Sequence, residues 1–143
     1  MENSKLRFLI AEDDFIIAMG IKQKVEELGF EVVSMASTAL EAITRTVFDK
    51  PDIILMDVLL SGSLDGIEAA RIISYKNKIP VIFLLDDSGK ELIEKKKPEV
   101  RHSIIHKPIA KASLEKAIDE VRIAVSLHDS GTPNRTNIRP YTF

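Results

Sequence analysis

The spacing of apolar residues along this chain switches repeatedly between that of a buried strand and that of a helix. Leu6 to Ala11 (LRFLIA) is a short apolar run that stops at Glu12, Asp13 and Asp14, as a buried strand feeding a loop does. From Phe15 the period lengthens: Ile17, Ile21, Val25 and Leu28 fall at helical spacing, and Gly29 is placed to end the helix. Val32, Val33 and Met35 predict a second strand. Thr38-Ala-Leu-Glu41 is a capping-box sequence, in which hydroxyl and glutamate satisfy free N–H groups at a helix start. Leu40, Ile43 and Val47 then mark the expected core face of that helix, and Asp49-Lys50-Pro51 closes it. Ile53 to Met56 form a continuous apolar run that ends on a single carboxylate, Asp57, within DIILMDVLL.

After a loop over Ser61–Leu64, Asp65-Gly-Ile-Glu68 reads as another helix start, with Ile67, Ala70 and Ile73 available for burial and an end near Tyr75. Val81–Leu85 is the fourth apolar strand and runs into Asp86 and Asp87. Ser88–Lys97 predicts a short polar helix stopped by Pro98, in which Lys95, Lys96 and Lys97 read as a solvated end. Ser103–His106 predicts a brief fifth strand before Lys107-Pro108. Leu114, Ile118, Val121 and Val125 follow the spacing of a final helix. Beyond Leu127 the period disappears, so residues 5–127 are expected to form one domain and 128–143 a flexible tail or a truncated linker. Asn134-Arg-Thr136 matches a glycosylation sequon, a chance match where no signal peptide precedes it.

Strands alternating with helices predict an α/β domain with a parallel sheet, whose ligand site lies outside the carboxyl ends of the strands. That rule places Glu12, Asp13, Asp57, Asp86, Asp87 and Lys107 on one edge. Composition narrows the choices. At 143 residues the chain holds one domain with a real core, and its 45% hydrophobic and 29% charged residues are ordinary for a globular protein. A net charge of −2 makes no case for nucleic acid or an anionic membrane. The absence of cysteine excludes disulfides, thiolate catalysis and cysteine-based metal sites. No run reaches membrane-spanning length, so a cytoplasmic protein is the expectation.

Three carboxylates converging at one mouth repel one another unless a positive group sits between them. An oxygen-rich, compact site suits a hard cation, above all Mg²⁺ with several waters retained. An aspartate beside Mg²⁺ can act as a nucleophile toward phosphorus, because the metal offsets the charge that builds up in transfer. Taken singly, each residue has a plainer explanation. Asp14 suits a helix start, where acids favour the positive end of the dipole; Lys107 alone is a surface lysine. His102 and His106 flank the fifth strand without a third ligand and read as structural. Leu59 and Leu60 either cover Asp57 or pack on the third helix.

The order FLIAEDD, ILMDVLLSGSLDGIEAA, PVIFL and HKPI resembles the receiver domain of two-component response regulators, over roughly Lys5 to Leu127. The resemblance implies a flavodoxin-like doubly wound (βα)5 fold with strand order 2-1-3-4-5. It implies that Asp57 accepts a phosphoryl group from a sensor histidine kinase or phosphotransfer protein. Glu12, Asp13, Asp57 and the backbone carbonyl of Leu59 would hold Mg²⁺, and Lys107 would pair with the phosphoryl group. The Lys107-Pro108 bond would be a candidate cis peptide. A downstream protein or a second copy would dock on the face of the fourth helix, fifth strand and fifth helix. No catalysis beyond gain and loss of its own phosphoryl group is implied, and no nucleic-acid or membrane partner.

Two positions depart from the family pattern. Leu85 stands where receivers usually carry Ser or Thr, and a leucine cannot donate a hydrogen bond to a phosphoryl oxygen. Ile104 stands at the usual aromatic switch position, so both halves of the hydroxyl–aromatic relay are missing; Ser88 would substitute only if its loop folded back. A non-switching receiver-like binding module is therefore a competing reading. An aspartyl-nucleophile phosphatase of the haloacid-dehalogenase type is a remoter one, since Leu59 occupies the place of its second acid. A flavin site is remoter still, because acidic loops repel phosphate.

Overall fold

The computed structural model describes residues 5–129. Strands and helices alternate without exception: β1 Arg7–Ala11, α1 Phe15–Glu27, β2 Glu31–Ala36, α2 Ala39–Asp49, β3 Ile53–Asp57, α3 Gly66–Lys76, β4 Val81–Leu85, α4 Asp87–Lys96, β5 His102–His106 and α5 Lys111–Asp129. The strands form one five-stranded sheet in the order β2-β1-β3-β4-β5, every pair parallel. This is the doubly wound (βα)5 architecture expected from the sequence. The segment expected to be a tail or linker lies outside the described residues from 130 onward, as does the Asn134 sequon.

β3 and β4 are buried throughout, which explains their unbroken apolar runs. Alternate residues feed two cores. Ile54, Met56, Phe83 and Leu85 point to the side covered by α2, α3 and α4, and Leu55, Ile82 and Leu84 to the side covered by α1 and α5. On that second side Leu114, Ile118 and Val121 are buried as their spacing predicts, while Val125 lies outside the described side chains.

The expected face holds in α1 except at Ile17, and in α2 only Ile43 of the expected face packs on the core. α1 buries Ala18, Ile21 and Val25, with Ile17 turned outward. α2 buries Ala39, Ala42 and Thr46, leaving Leu40 and Val47 67% and 58% exposed. In α2 the buried positions are small, and the Thr46 hydroxyl donates to the Ala42 carbonyl at 2.8 Å. The α2 cap is likewise half as drawn. Thr38 Oγ1 accepts from the Glu41 N–H, but Glu41 accepts from the Ser37 N–H and hydroxyl. The reciprocal capping box is complete at α3, between Asp65 and Glu68.

The expected solvated end of α4 is corrected at one residue. Lys96 turns inward, its Nζ 2.6 Å from Asp65 Oδ2 and 2.9 Å from Glu68 Oε2. Arg71 completes the tie between α3 and α4, donating to the Lys96 carbonyl and pairing with Glu99. Two acids at the start of α3 and a lysine in the last turn of α4 are each well placed for their helix dipoles. Lys95 and Lys97 remain exposed.

Candidate functional site

Three strand ends supply the site. β1 ends at Ala11, and the next residue stays fastened to the sheet through the Glu12 N–H to Ala36 carbonyl bond of 3.0 Å. Glu12 is thereby held inside, only 4% exposed, while Asp13 lies in the open and Asp14 caps α1, accepting from the Ile16 and Ile17 N–H groups. Asp57 is the last residue of β3 and is buried. Lys107 follows β5 and is fixed by its own N–H to the Leu85 carbonyl at 2.9 Å; the Lys107-Pro108 bond is cis.

These four side chains meet. One oxygen each from Glu12, Asp13 and Asp57 lie within 4.8 Å of one another, the only such group of three potential metal ligands among the described residues. Lys107 Nζ stands 3.0 Å from Glu12 Oε1 and 3.1 Å from Asp57 Oδ2. The other Asp57 oxygen, Oδ1, accepts from the Leu59 N–H at 3.0 Å. Glu12 Oε2 accepts from the Asp14 N–H, but Glu12 Oε1 receives no aligned hydrogen bond, since its contact with Lys107 is an ion pair only. Three carboxylates gathered around the single ammonium of Lys107 leave oxygens free for a further cation.

The protonation equilibria follow from this crowding. Burial pushes the Glu12 carboxyl up to about 7, opposed by the Asp14 amide and Lys107 and reinforced by the charge of Asp57. Asp13 is held below the usual carboxylate range, first by its hydrogen bond from the Ser61 hydroxyl. For Lys107 burial alone would pull the ammonium down, but its contacts with Glu12 and Asp57 outweigh this and leave it above its ordinary value. The pocket therefore carries a fixed cation on one wall and carboxylates on the others.

The backbone behind Asp57 is closely covered. A Cβ built on Gly66 would lie 2.1 Å from the Asp57 carbonyl oxygen, so only glycine lets the start of α3 reach that strand end. The Gly66 N–H donates to the Val58 carbonyl at 2.8 Å across the same contact. Leu60 packs into the core with Ile67 of α3, whereas Leu59 stays 41% exposed next to Asp57. Of the two, Leu60 takes the packing role.

Leu85 and Ile104 do not reach out as polar switch residues would. Leu85 is buried at the end of β4 against Gly89, where a Cβ would stand 2.8 Å from that of Leu85. Ile104 is 39% exposed on β5. Ser88 belongs to α4 rather than to a loop that folds back, and faces solvent beside Asp87, Lys90, Glu91 and Glu94. His102 is half-buried, its Nδ1 2.7 Å from the Val100 carbonyl and its ring edge-on to Phe83; His106 is exposed. One residue that the strand-end rule passes over is Ser61, whose hydroxyl donates to Asp13 Oδ2.

Residues 8–119 match the family model for the response regulator receiver domain. The transcriptional regulatory protein PdtaR of Mycobacterium tuberculosis is 34% identical over 120 residues, which is 84% of this chain and 57% of that protein. The chain thus spans little more than half the length of that relative. Among solved structures, the signal receiver domain of a modulated diguanylate cyclase from Desulfovibrio desulfuricans G20 superposes with a TM-score of 0.75 at 26% identity, covering 88% of this chain and all of that one. The anti-anti-sigma factor PhyR of Bartonella quintana gives 0.69 at 32% identity, covering 88% of this chain and 52% of its own. Among the described residues no helix is long and apolar enough to cross a membrane.

Proposed function

The chain belongs to the response regulator receiver family, and on that footing we propose that it is a Mg²⁺-dependent phosphoacceptor that takes a phosphoryl group onto Asp57 from a histidine kinase or phosphotransfer protein. The observation that carries this reading is the meeting of Glu12, Asp13 and Asp57 with Lys107 at one sheet edge. An Asp57 carboxylate oxygen attacks phosphorus, the P–N bond to the donor imidazole breaks, and the departing nitrogen keeps the electron pair and takes up a proton. Lys107 already reaches Asp57 Oδ2 and is placed to move onto a phosphoryl oxygen. Glu12, Asp13, Asp57 and the Leu59 carbonyl would hold the cation, which would supply positive charge to offset that of the transferring group. In this reading the exposed Leu59, two residues past the nucleophile, restricts the approach of water. In keeping with a signalling domain, no turnover beyond gain and loss of this phosphoryl group is expected, and the reaction takes place in the cytoplasm.

The test is intact mass after incubation with a small phosphodonor and Mg²⁺. One added phosphoryl group is expected, lost on chelation of the metal or in Asp57→Asn. An unchanged mass under conditions that label other receivers overturns the reading.

A second reading concerns the response and rests on Leu85. With a buried leucine in the hydroxyl position and α4 tied to α3 by Lys96, the face of α4, β5 and α5 binds its protein partner in one conformation. Amide shifts across that face should then move little on phosphorylation; large changes there would restore the switching reading.

A further inference from the structure

Ser61 has no role in the chemistry above, yet it is built into the site. It lies four residues past Asp57 in the loop between β3 and α3, and its hydroxyl donates to Asp13 Oδ2 at 2.5 Å. Its backbone is fastened as well, in an isolated parallel bridge with Thr38, the residue that caps α2. The next residue, Gly62, has a φ of 110°, so the chain turns back immediately after the bridge, through an angle that favours glycine. The hydroxyl is therefore presented by a loop anchored on its far side.

Asp13 needs such a partner more than the other two acids do. Glu12 and Asp57 are buried and braced by backbone N–H groups, at Asp14 and Leu59 respectively. Asp13 is exposed, and an exposed aspartate samples several side-chain rotamers. The bond from Ser61 selects one of them, and in that one an Asp13 oxygen lies within 4.8 Å of oxygens of Glu12 and Asp57. A carboxylate that accepts one hydroxyl proton keeps lone pairs for a cation.

We propose that Ser61 is the positioning residue for Asp13, holding that carboxylate toward Glu12 and Asp57 and so setting the affinity of the pocket for a divalent cation. This rests on the Mg²⁺-dependent reading above and adds a residue outside the ligand set. Partners that orient metal ligands are worth about 10- to 100-fold in affinity, and the solvent exposure of both Ser61 and Asp13 places this one near the lower end.

The experiment is a Mg²⁺ titration of the full chain followed by the amide NMR shifts of Asp13 and Leu59, with the spread of the other amides reporting that each variant is folded. Ser61→Ala should weaken Mg²⁺ about tenfold, and Ser61→Thr, which keeps the hydroxyl, should recover most of that loss. In an Asp13→Asn background Ser61→Ala should cause no further loss, because the group it orients has lost its charge. If the wild-type protein shows no saturable response, the metal reading and this one fail together. Wild-type binding with Ser61→Ala unchanged or tighter overturns the role of Ser61 alone. Equal weakening by Ala and Thr overturns it too, since the loop and not the hydroxyl would then be responsible.

Discussion

Replacing Glu12 by Gln should make the metal-free protein more stable at alkaline pH, although it removes a buried ion pair. The side chain is 4% exposed, and burial lifts its carboxyl from 4.5 to about 7. In the unfolded chain the same group ionises near the lower value. The folded protein therefore holds this proton more tightly, and the stability it contributes is fully present below pH 4.5 and lost as the pH rises through about 7. A difference of about 2.5 between the two values, at about 1.4 kcal/mol each, makes the ionised form cost the fold about 3 kcal/mol at pH 8. Glutamine has the same shape, keeps an acceptor for the Asp14 N–H and never ionises. Urea denaturation in the presence of a chelator should show wild type and Glu12→Gln nearly equal at pH 4.5, and the variant ahead by about 2–3 kcal/mol at pH 8. Saturating Mg²⁺ should reverse the order, because the cation stabilises the ionised carboxylate and only the wild type carries it. A difference between the two proteins that does not vary with pH would refute the reasoning, as would a variant that is the weaker one at pH 8 without metal.

Two glycines offer a contrast within one fold. Gly66→Ala drives a methyl group to 2.1 Å from the Asp57 carbonyl oxygen and should cost about 2–4 kcal/mol while disordering the Mg²⁺ response; Gly20→Ala, in α1 with nothing within 4 Å, should gain about 0.5–1 kcal/mol. Equal effects in thermal denaturation would contradict the close approach. Lys107→Ala leaves Glu12 and Asp57 facing each other without their shared cation, at a cost of about 2 kcal/mol at pH 8. That cost should shrink below pH 7, where Glu12 takes up a proton, and a penalty that stays constant with pH would count against the pairing.

The site was legible because each of its parts terminates a strand. An apolar run ending in a charge is visible in any order of residues, and once the sheet is parallel its ends fall on one edge. Asp57 and Lys107 are 50 residues apart in the chain and 3.1 Å apart in space for that reason. The glycine of Asp65-Gly66 was readable as part of a helix start, but its deeper purpose was not. It depends on how closely α3 packs over the Asp57 carbonyl, a distance with no trace in local pattern.

Helix phase departs from the apolar pattern in α2, where small residues make the contact. In α2 Leu40, Val47 and Phe48 face outward, while Ala39, Ala42 and Thr46 are buried and Ile43 packs partly buried against the core. Periodicity specifies spacing, and packing distance decides which side is down. Lys96 shows the same limit for charge: a lysine among lysines looks solvated until α3 brings Asp65 and Glu68 beside it.

By itself, then, the sequence determined the alternation of strands and helices, the strand ends and the candidate acids and lysine, since these follow from local period and from where charge interrupts an apolar run. The tertiary structure alone decided that Glu12 is buried beside Lys107 while Asp13 is open, and that the Ser61 hydroxyl donates to it. It also decided that Leu85 is sealed beneath α4. Those properties belong to distances between segments far apart in the chain, and burial is created only when the segments close over one another.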